Sequence, residues 1–267
     1  MSDINLGIVG TSIIAEEHIK VIQSIKKLRL YGITSRSNKR SYKLKRKYNF
    51  LKVYINYNEM VNDENIDALI IVVSSDNNYK VLSDIIPSKK PFFTEKPVGM
   101  NLSEHEKILI LTKKNKNLNL VGFNRRYYSI FHKALRILKK NGGLISFSIE
   151  GHERFWQKNN LKNNLKKNWH HINSIHTIDL INFFGGNYSK YYLVSKKTNL
   201  PKNDQISSIF KFKNGVLGTY QSYWHSPGGW SVKLFGDGIT SIFQPLETGL
   251  LINKNFREKK IIPSKQD

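Results

Sequence analysis

Along the first 123 residues, short apolar runs alternate with stretches in which apolar positions recur at helical spacing. "NLGIVG" reads as a strand, residues 13–27 as a helix, "LRLYGITS" as a second strand and 38–48 as a basic helix. "KVYI" reads as a short strand and "YNEMVND" as a helical turn. "IDALIIVV" is apolar almost throughout, as suits a strand buried on both faces. A helix near 77–86, the strand in "PFFTEKP", a helix over 103–114 and the strand in "LNLVGFN" complete this half. Ser103, followed three residues later by Glu106, reads as a capping box. The βαβ rhythm predicts a doubly wound parallel sheet, a Rossmann domain spanning residues 1–122.

Beyond residue 123 the rhythm changes. A helix over 127–140 stops at Asn141-Gly142-Gly143, and "LISFSIEGHERF" then alternates like a half-buried strand. A polar stretch without strong periodicity runs to about 168, and "NSIHTIDLINFFGG" reads as a helix stopped by Gly185-Gly186. "YYLVSKK", "ISSIFKFKNGVLGTYQSYW" and "GWSVKLFGDGITSIFQ" look like consecutive antiparallel strands, with turns at Asn214-Gly215 and Asp237-Gly238. Residues 123–267 are therefore expected to form an α+β domain with a mainly antiparallel sheet.

Composition narrows the class. The longest apolar run, Ala68 to Val73, is far too short to cross a bilayer, and the first residues carry no signal-peptide pattern, so a cytoplasmic protein without membrane contact is expected. The absence of cysteine excludes disulfides and thiolate metal sites. The net charge of +23 is spread over nearly every expected loop, together with many asparagines. That spread reads as solvated faces rather than a nucleic-acid surface, and it also suits a phosphate-bearing substrate. His170, His171 and His176 do not make a zinc site: two adjacent histidines cannot easily share a helical face, and no carboxylate stands at metal spacing.

Three segments carry candidate chemistry. Gly10, Thr11, Ser12 and Ile13 follow the first strand where a dinucleotide loop would read Gly-x-Gly-x-x-Gly/Ala, but serine replaces the middle glycine. Ser12 costs some close approach, yet its hydroxyl can donate to a phosphate oxygen beside a helix N-terminus. The second strand ends at Ser35 and Arg36, with Lys39 and Arg40 behind, where an acidic residue would select NAD; a bidentate arginine there favours a 2′-phosphate and hence NADP. "FFTEKPVGMN" places Glu95, Lys96 and Pro97 just beyond a strand, where open α/β sheets bind ligands, so Glu95 and Lys96 are expected beside the cofactor, with Lys96 poised to contact both a substrate hydroxyl and the nicotinamide ribose.

Taken in order, "GIVGTSIIAEEH", "ITSRS", "NIDALIIVVSS", "FFTEKPVGMN", "LVGFNRRYY" and "NSIHTIDLINFFGG" resemble the Gfo/Idh/MocA family of NAD(P)-dependent oxidoreductases over nearly the whole chain. The resemblance implies a Rossmann domain followed by an α/β domain whose open sheet backs the active site and often forms the oligomer interface, so a homo-oligomer is expected. It also implies hydride transfer at a hydroxyl of a sugar, polyol or nucleotide sugar, possible work for such an enzyme in surface-polysaccharide or modified-sugar synthesis. Lys96 would then be the Glu-Lys-Pro lysine, His176 the catalytic histidine and Asp179 its helix companion. A histidine that titrates near neutrality suits proton removal from an alcohol, and a lysine suits the alkoxide-like charge that develops. Ser74 joins the expected cofactor-binding residues. Arg125, Arg126, Tyr127, Arg154, Trp156 and Trp224 are candidates for lining the substrate cleft.

The chain departs from the family pattern at three places. Ile172 stands where many members carry an aspartate, leaving Asn173 or His171 to orient substrate. Ser74, Ser75, Asp76, Asn77, Asn78 and Tyr79 occupy a loop that usually resembles Thr-Pro-Asn-x-x-His, so the proline and the histidine are missing. The chain also stops earlier than typical members, so a shortened C-terminal part is expected. These departures leave open a second class, a nucleotide- or partner-binding protein that keeps the fold without turnover.

Overall fold

The computed structural model describes residues 3–158, 163–198 and 204–264. The chain divides into two compact units, Met1–Gly122 and Phe123–Asp267. The first contains, in order, β1 (Ile4–Val9), α1 (Ile13–Gln23), β2 (Leu28–Thr34), α2 (Asn38–Tyr48), β3 (Lys52–Val53) and α3 (Tyr57–Asn62). It continues through β4 (Ala68–Ile71), α4 (Ser75–Ile85), β5 (Phe92–Thr94), α5 (Leu102–Asn115) and β6 (Asn119–Val121). All six strands are parallel, in the order β3-β2-β1-β4-β5-β6. The order reverses between β1 and β4, which leaves a crevice beyond their carboxyl ends.

This is the doubly wound sheet that the apolar runs predict, and burial on both faces explains those runs. Leu6, Ile8 and Ile33 pack against Ala15, Ile19 and Ile22 of α1 and Leu44 of α2. On the opposite face, Val9, Leu69 and Ile71 pack against Met60, Leu82, Ile85 and Ile108. Each fully buried aliphatic side chain of this kind contributes about 1.5–3 kcal/mol.

Two helix ends differ from expectation. Helix α1 stops at Gln23 rather than running to 27, because the Ser24 hydroxyl takes the Val21 carbonyl at 2.7 Å and the chain turns away. Helix α5 is capped by Asn101 and Glu104 rather than Ser103 and Glu106: Asn101 Oδ1 accepts from the Glu104 amide at 3.0 Å, and the Glu104 carboxylate accepts from the Met100 amide at 2.7 Å. Gly99 makes this possible, since a Cβ there would stand 2.6 Å from Glu104 Cβ.

The second unit contains α6 (Ser129–Lys140), β7 (Ser146–Gly151), α7 (Asn163–Lys167) and α8 (Ile175–Gly185). Strands β8 (Tyr188–Lys196), β9 (Gln205–Phe212), β10 (Leu217–Tyr223) and β11 (Trp230–Gly236) follow, then β12 (Ile239–Phe243), β13 (Gly249–Asn253) and β14 (Glu258–Ile261). They form one sheet in the order β14-β13-β12-β11-β7-β10-β9-β8. Every pairing is antiparallel except β7 with β10. The sheet is therefore mainly antiparallel, as expected, but β10 and β11 are not neighbours: β7 lies between them. Strands β13 and β14 add two members that the sequence pattern does not announce. Within the polar stretch before residue 168, Phe155–Lys158 forms a 3-10 turn and α7 one short helix, while residues 159–162 lie outside the described residues.

Helices α6 and α8 cover one face of this sheet, burying Phe131, Leu138, Leu180 and Phe184 against Phe147, Ile149, Val232 and Leu234. The strand register places Tyr192, Val194, Ile209 and Leu217 on the other face, where all four are exposed. Among the described residues no helix is long and apolar enough to cross a membrane.

Candidate functional site

Three strand ends of the first unit build one cleft of about 710 Å³. Gly10, Thr11 and Ser12 follow β1, Thr34 to Ser37 follow β2, and Val72 to Ser74 follow β4; all line it. Gly10 has φ +125°, and a Cβ on it would meet the Val72 carbonyl oxygen at 2.4 Å, so glycine is what lets β1 turn this close to β4. Ser12 is the N-cap of α1: its Oγ accepts from the Ala15 amide at 3.2 Å. The hydroxyl proton and the remaining first-turn amides of α1 make this end an anion-binding feature on the cleft wall.

The sequence-selected residues divide here. Gly10, Thr11, Ser12, Ser35, Arg36 and Ser74 line the cleft. Ser35, however, uses its hydroxyl within its own turn, donating to the Ser37 carbonyl at 3.0 Å and contacting Ser41 Oγ at 2.9 Å. Ile13 is 81% exposed and is not part of the lining. Lys39 is not either; Arg40, the next residue on the first turn of α2, takes that place. One helical step turns a side chain by about 100°, enough to exchange which basic residue faces the cleft. Arg36 lies within electrostatic reach of Asp76, whose carboxyl is held below its ordinary range first by the Ser74 hydroxyl, then by Asn77 and by the arginine charge. Asn56, Tyr57 and Lys80 also line the cleft without having been singled out. Tyr57 stays a neutral phenol, pushed up to about 12 by burial and by its hydrogen bond to Asp84.

Glu95, Lys96 and Pro97 leave β5 in a tightly held turn with a cis Lys96–Pro97 peptide. The Glu95 carboxylate meets His18 Nε2 at 2.9 Å, and the His18 ring packs on Phe93 with centroids 5.0 Å apart. Asn78, buried on α4, donates to the Glu95 carbonyl and to the Pro97 carbonyl, each at 2.8 Å. Lys96 itself is half-buried. The carboxylate of Glu95 thus already has a partner within its own unit, and Lys96 is the member of the motif whose stem emerges from a fixed backbone.

In the second unit a π-helical turn, His170–Ser174, leads into α8. It sets Asn173 Nδ2 on both oxygens of Glu153, at 3.1 and 2.9 Å, and Ser174 Oγ on the same carboxylate at 2.8 Å. Glu153 is only 4% exposed and was not selected from the sequence; a charged residue in "EGHERF" offers no signal that it turns inward. Ile172 packs with Phe155, Trp169 and Trp224, so an apolar cluster occupies the position where the family pattern puts an aspartate.

His176 is buried on α8, its ring 6.0 Å from that of Trp230. Asp179 does not serve as its companion: both carboxylate oxygens accept from Arg126, from Nε and a terminal nitrogen, each at 2.5 Å. That hydrogen-bonded pairing raises the Arg126 guanidinium above its ordinary range. Arg125 lies over Tyr128 and Trp230, 5.0 and 5.8 Å from their ring centroids, and 3.3 Å from Glu247. Trp224 is 2% exposed and stacked on Phe155, so it is packing rather than cleft lining. Tyr127, Arg154 and Trp156 are exposed, and His171 is half-buried. Among the described residues, no group of three or more His, Asp and Glu side chains is arranged to hold a metal ion.

The chain is similar in sequence and in fold to known proteins. Over 137 residues the chain is 29% identical to myo-inositol 2-dehydrogenase of Thermotoga maritima, covering 51% of this chain and 41% of that protein. It is 25% identical over 124 residues to inositol 2-dehydrogenase of Salmonella typhimurium, covering 45% of this chain and 37% of the other. The matched stretch therefore spans well under half of either relative. In fold, an NAD binding oxidoreductase from Klebsiella pneumoniae superposes on 100% of this chain and 81% of its own, with a TM-score of 0.84 at 16% identity. Levoglucosan dehydrogenase in complex with NADH and L-sorbose covers 97% of this chain and 79% of its own, at a TM-score of 0.81 and 14% identity. Residues 4–123 match the Gfo/Idh/MocA model, the oxidoreductase family with the NAD-binding Rossmann fold.

Proposed function

We propose that this chain is an NAD(P)-dependent oxidoreductase that moves hydride to or from a secondary hydroxyl carbon of a sugar, polyol or nucleotide sugar. The observation that carries the reading is the cleft beyond β1, β2 and β4, built with a glycine turn and a helix N-terminus, in the same unit as the Glu95-Lys96-Pro97 turn. The donor set there suits a dinucleotide: Ser12 and the α1 amides for the pyrophosphate, Arg36 and Arg40 for an adenosine 2′-phosphate. The cofactor's contribution, when bound, is to accept or return hydride. The chain's own residues handle the proton and the charge. Lys96 would stabilise the negative oxygen through its ammonium group, and His176 would take up or return the hydroxyl proton on a ring nitrogen. Asn173, held through its amide nitrogen by Glu153, would present its carbonyl oxygen to a substrate hydroxyl.

NADP(H) is the cofactor we favour. Titration with NADPH and NADH, followed by nicotinamide fluorescence, should show tighter binding of NADPH. Arg36→Ala should weaken NADPH about 10-fold or more while leaving NADH within about twofold, as loss of a charge-assisted contact worth about 1.5–3 kcal/mol requires. Absence of binding by either nucleotide would overturn the reading.

The exposed side of the second sheet supports self-association. Tyr192, Val194, Ile209 and Leu217 make an apolar strip across neighbouring strands, with no described helix over it. Ile209→Glu should convert an oligomer to monomers in light scattering coupled to size exclusion, with the circular dichroism spectrum unchanged. A wild-type protein that is monomeric at tens of micromolar would refute this.

A further inference from the structure

We propose that Asn78, on the first turns of α4, is a positioning residue for Lys96. The inference rests on the reading of Lys96 given above and extends it to a residue outside the Glu95-Lys96-Pro97 motif.

The argument starts from the amide. Asn78 is 1% exposed, and its side chain spends every polar atom on the turn. Nδ2 donates to the Glu95 and Pro97 carbonyls, each at 2.8 Å, while Oδ1 accepts from Thr94 Oγ1 at 3.1 Å. The opposite orientation of the amide would set its oxygen against two carbonyl oxygens, so the network admits only one. The Glu95 carbonyl belongs to the peptide entering Lys96, and the Pro97 carbonyl to the second peptide after it. Holding both fixes the backbone on either side of the Lys96 Cα and therefore the direction in which its stem leaves. A lysine side chain loses much rotamer entropy when it is fixed, so backbone direction is what the fold can set at least cost.

The network continues around the same turn. His18 holds the Glu95 carboxylate from α1, and the Glu95 amide donates to the Ile71 carbonyl at 3.0 Å. Asn78 therefore closes the one side of the turn that faces α4. Its removal leaves the Pro97 carbonyl without this donor and the Glu95 carbonyl with only the longer contact from Thr94 Oγ1, 3.3 Å, at a cost the turn can lower by rotating, which carries Lys96 with it.

The test uses Asn78→Ala and the milder Thr94→Val, which removes the hydroxyl that orients the amide and its longer contact to the Glu95 carbonyl but keeps both Asn78 donations. Labelling of Lys96 by trinitrobenzenesulfonate, read by peptide mass spectrometry against Lys107 as internal reference, reports its presentation without any need for turnover. The expected result is an approximately tenfold change in the Lys96 rate in Asn78→Ala, a smaller change in the same direction in Thr94→Val, and an NADPH Kd within about twofold of wild type. If myo-inositol or a related polyol is turned over, kcat should fall about 100-fold with little change in cofactor KM, the scale of loss that a misplacement near 1 Å produces. Unchanged Lys96 labelling in folded Asn78→Ala overturns the proposal; if that variant does not fold, unchanged labelling in Thr94→Val does so. A Lys96→Ala protein with full turnover would instead overturn the catalytic reading and leave the positioning result standing.

Discussion

Lys96→Ala is expected to lower kcat for polyol or sugar oxidation by about 10³-fold while NADPH still binds within about threefold of the wild-type Kd. The asymmetry is the content of the prediction. Lys96 leaves the Glu95-Lys96-Pro97 turn half-buried, and the cleft-lining residues Gly10, Ser12 and Arg36 belong to other strand ends. Truncating the lysine therefore removes a cation meant for developing oxygen charge and leaves the proposed pyrophosphate and 2′-phosphate contacts in place. The turn should also survive, because its backbone is held by Asn78 and its carboxylate by His18, neither of which uses the lysine. Steady-state kinetics with a parallel fluorescence titration checks both halves. Retention of kcat within about tenfold would remove Lys96 from the chemistry, and His176→Asn should match the loss if that histidine carries the proton.

Gly10→Ala is expected to remove dinucleotide binding altogether by disrupting the fold of the first unit. The added Cβ would lie 2.4 Å from the Val72 carbonyl oxygen and 2.8 Å from its carbon. Both atoms are backbone, one residue past the end of β4 and tied in place: the Val72 amide donates to the Val9 carbonyl at 2.9 Å, and the Gly10 amide to the Thr34 carbonyl at 2.8 Å. Alanine at φ +125° adds strain of about 1–3 kcal/mol, and forced overpacking adds about as much. Their sum is a large share of a typical domain stability of about 5–15 kcal/mol. A fall in the melting temperature on the order of 10 °C or more should accompany loss of NADPH binding. Wild-type melting with lost binding would instead mean that β1 and β4 can separate locally, contrary to the packing seen.

The first unit was legible because strands buried on both faces write themselves as apolar runs and caps write themselves as side chains of known type. The cap of α5 shows where such legibility stops: Asn101 with Glu104 and Ser103 with Glu106 satisfy the same rule, and only the room beside Gly99 chooses between them. The cleft residues at Gly10 to Ser12 followed from local spacing. Arg40 in place of Lys39 did not, since it depends on where the first turn of α2 begins. Asn78 and Glu153 were invisible for another reason. Each is a polar residue in a polar stretch, and what turns it inward is a partner far along the chain, Glu95 and Pro97 for one, Asn173 and Ser174 for the other. Asp179 was placed beside His176 by the family resemblance, and a local motif is blind to Arg126 arriving from another element.

The place of β7 has a consequence for how the second unit assembles. Strands β8, β9 and β10 form one run of neighbours, and β11 to β14 another, each joined by contacts between successive segments. In the sheet the two runs are joined by β7, where Ser146 pairs with Leu217 on one side and Phe235 on the other. Both local runs can form early, because little chain has to be closed to make them. Their union depends on a six-residue strand that comes before both in sequence and pairs with an edge of each, and these pairings close the longest loops in the sheet. Without it two strand edges, β10 and β11, would stand unpaired and open to other chains.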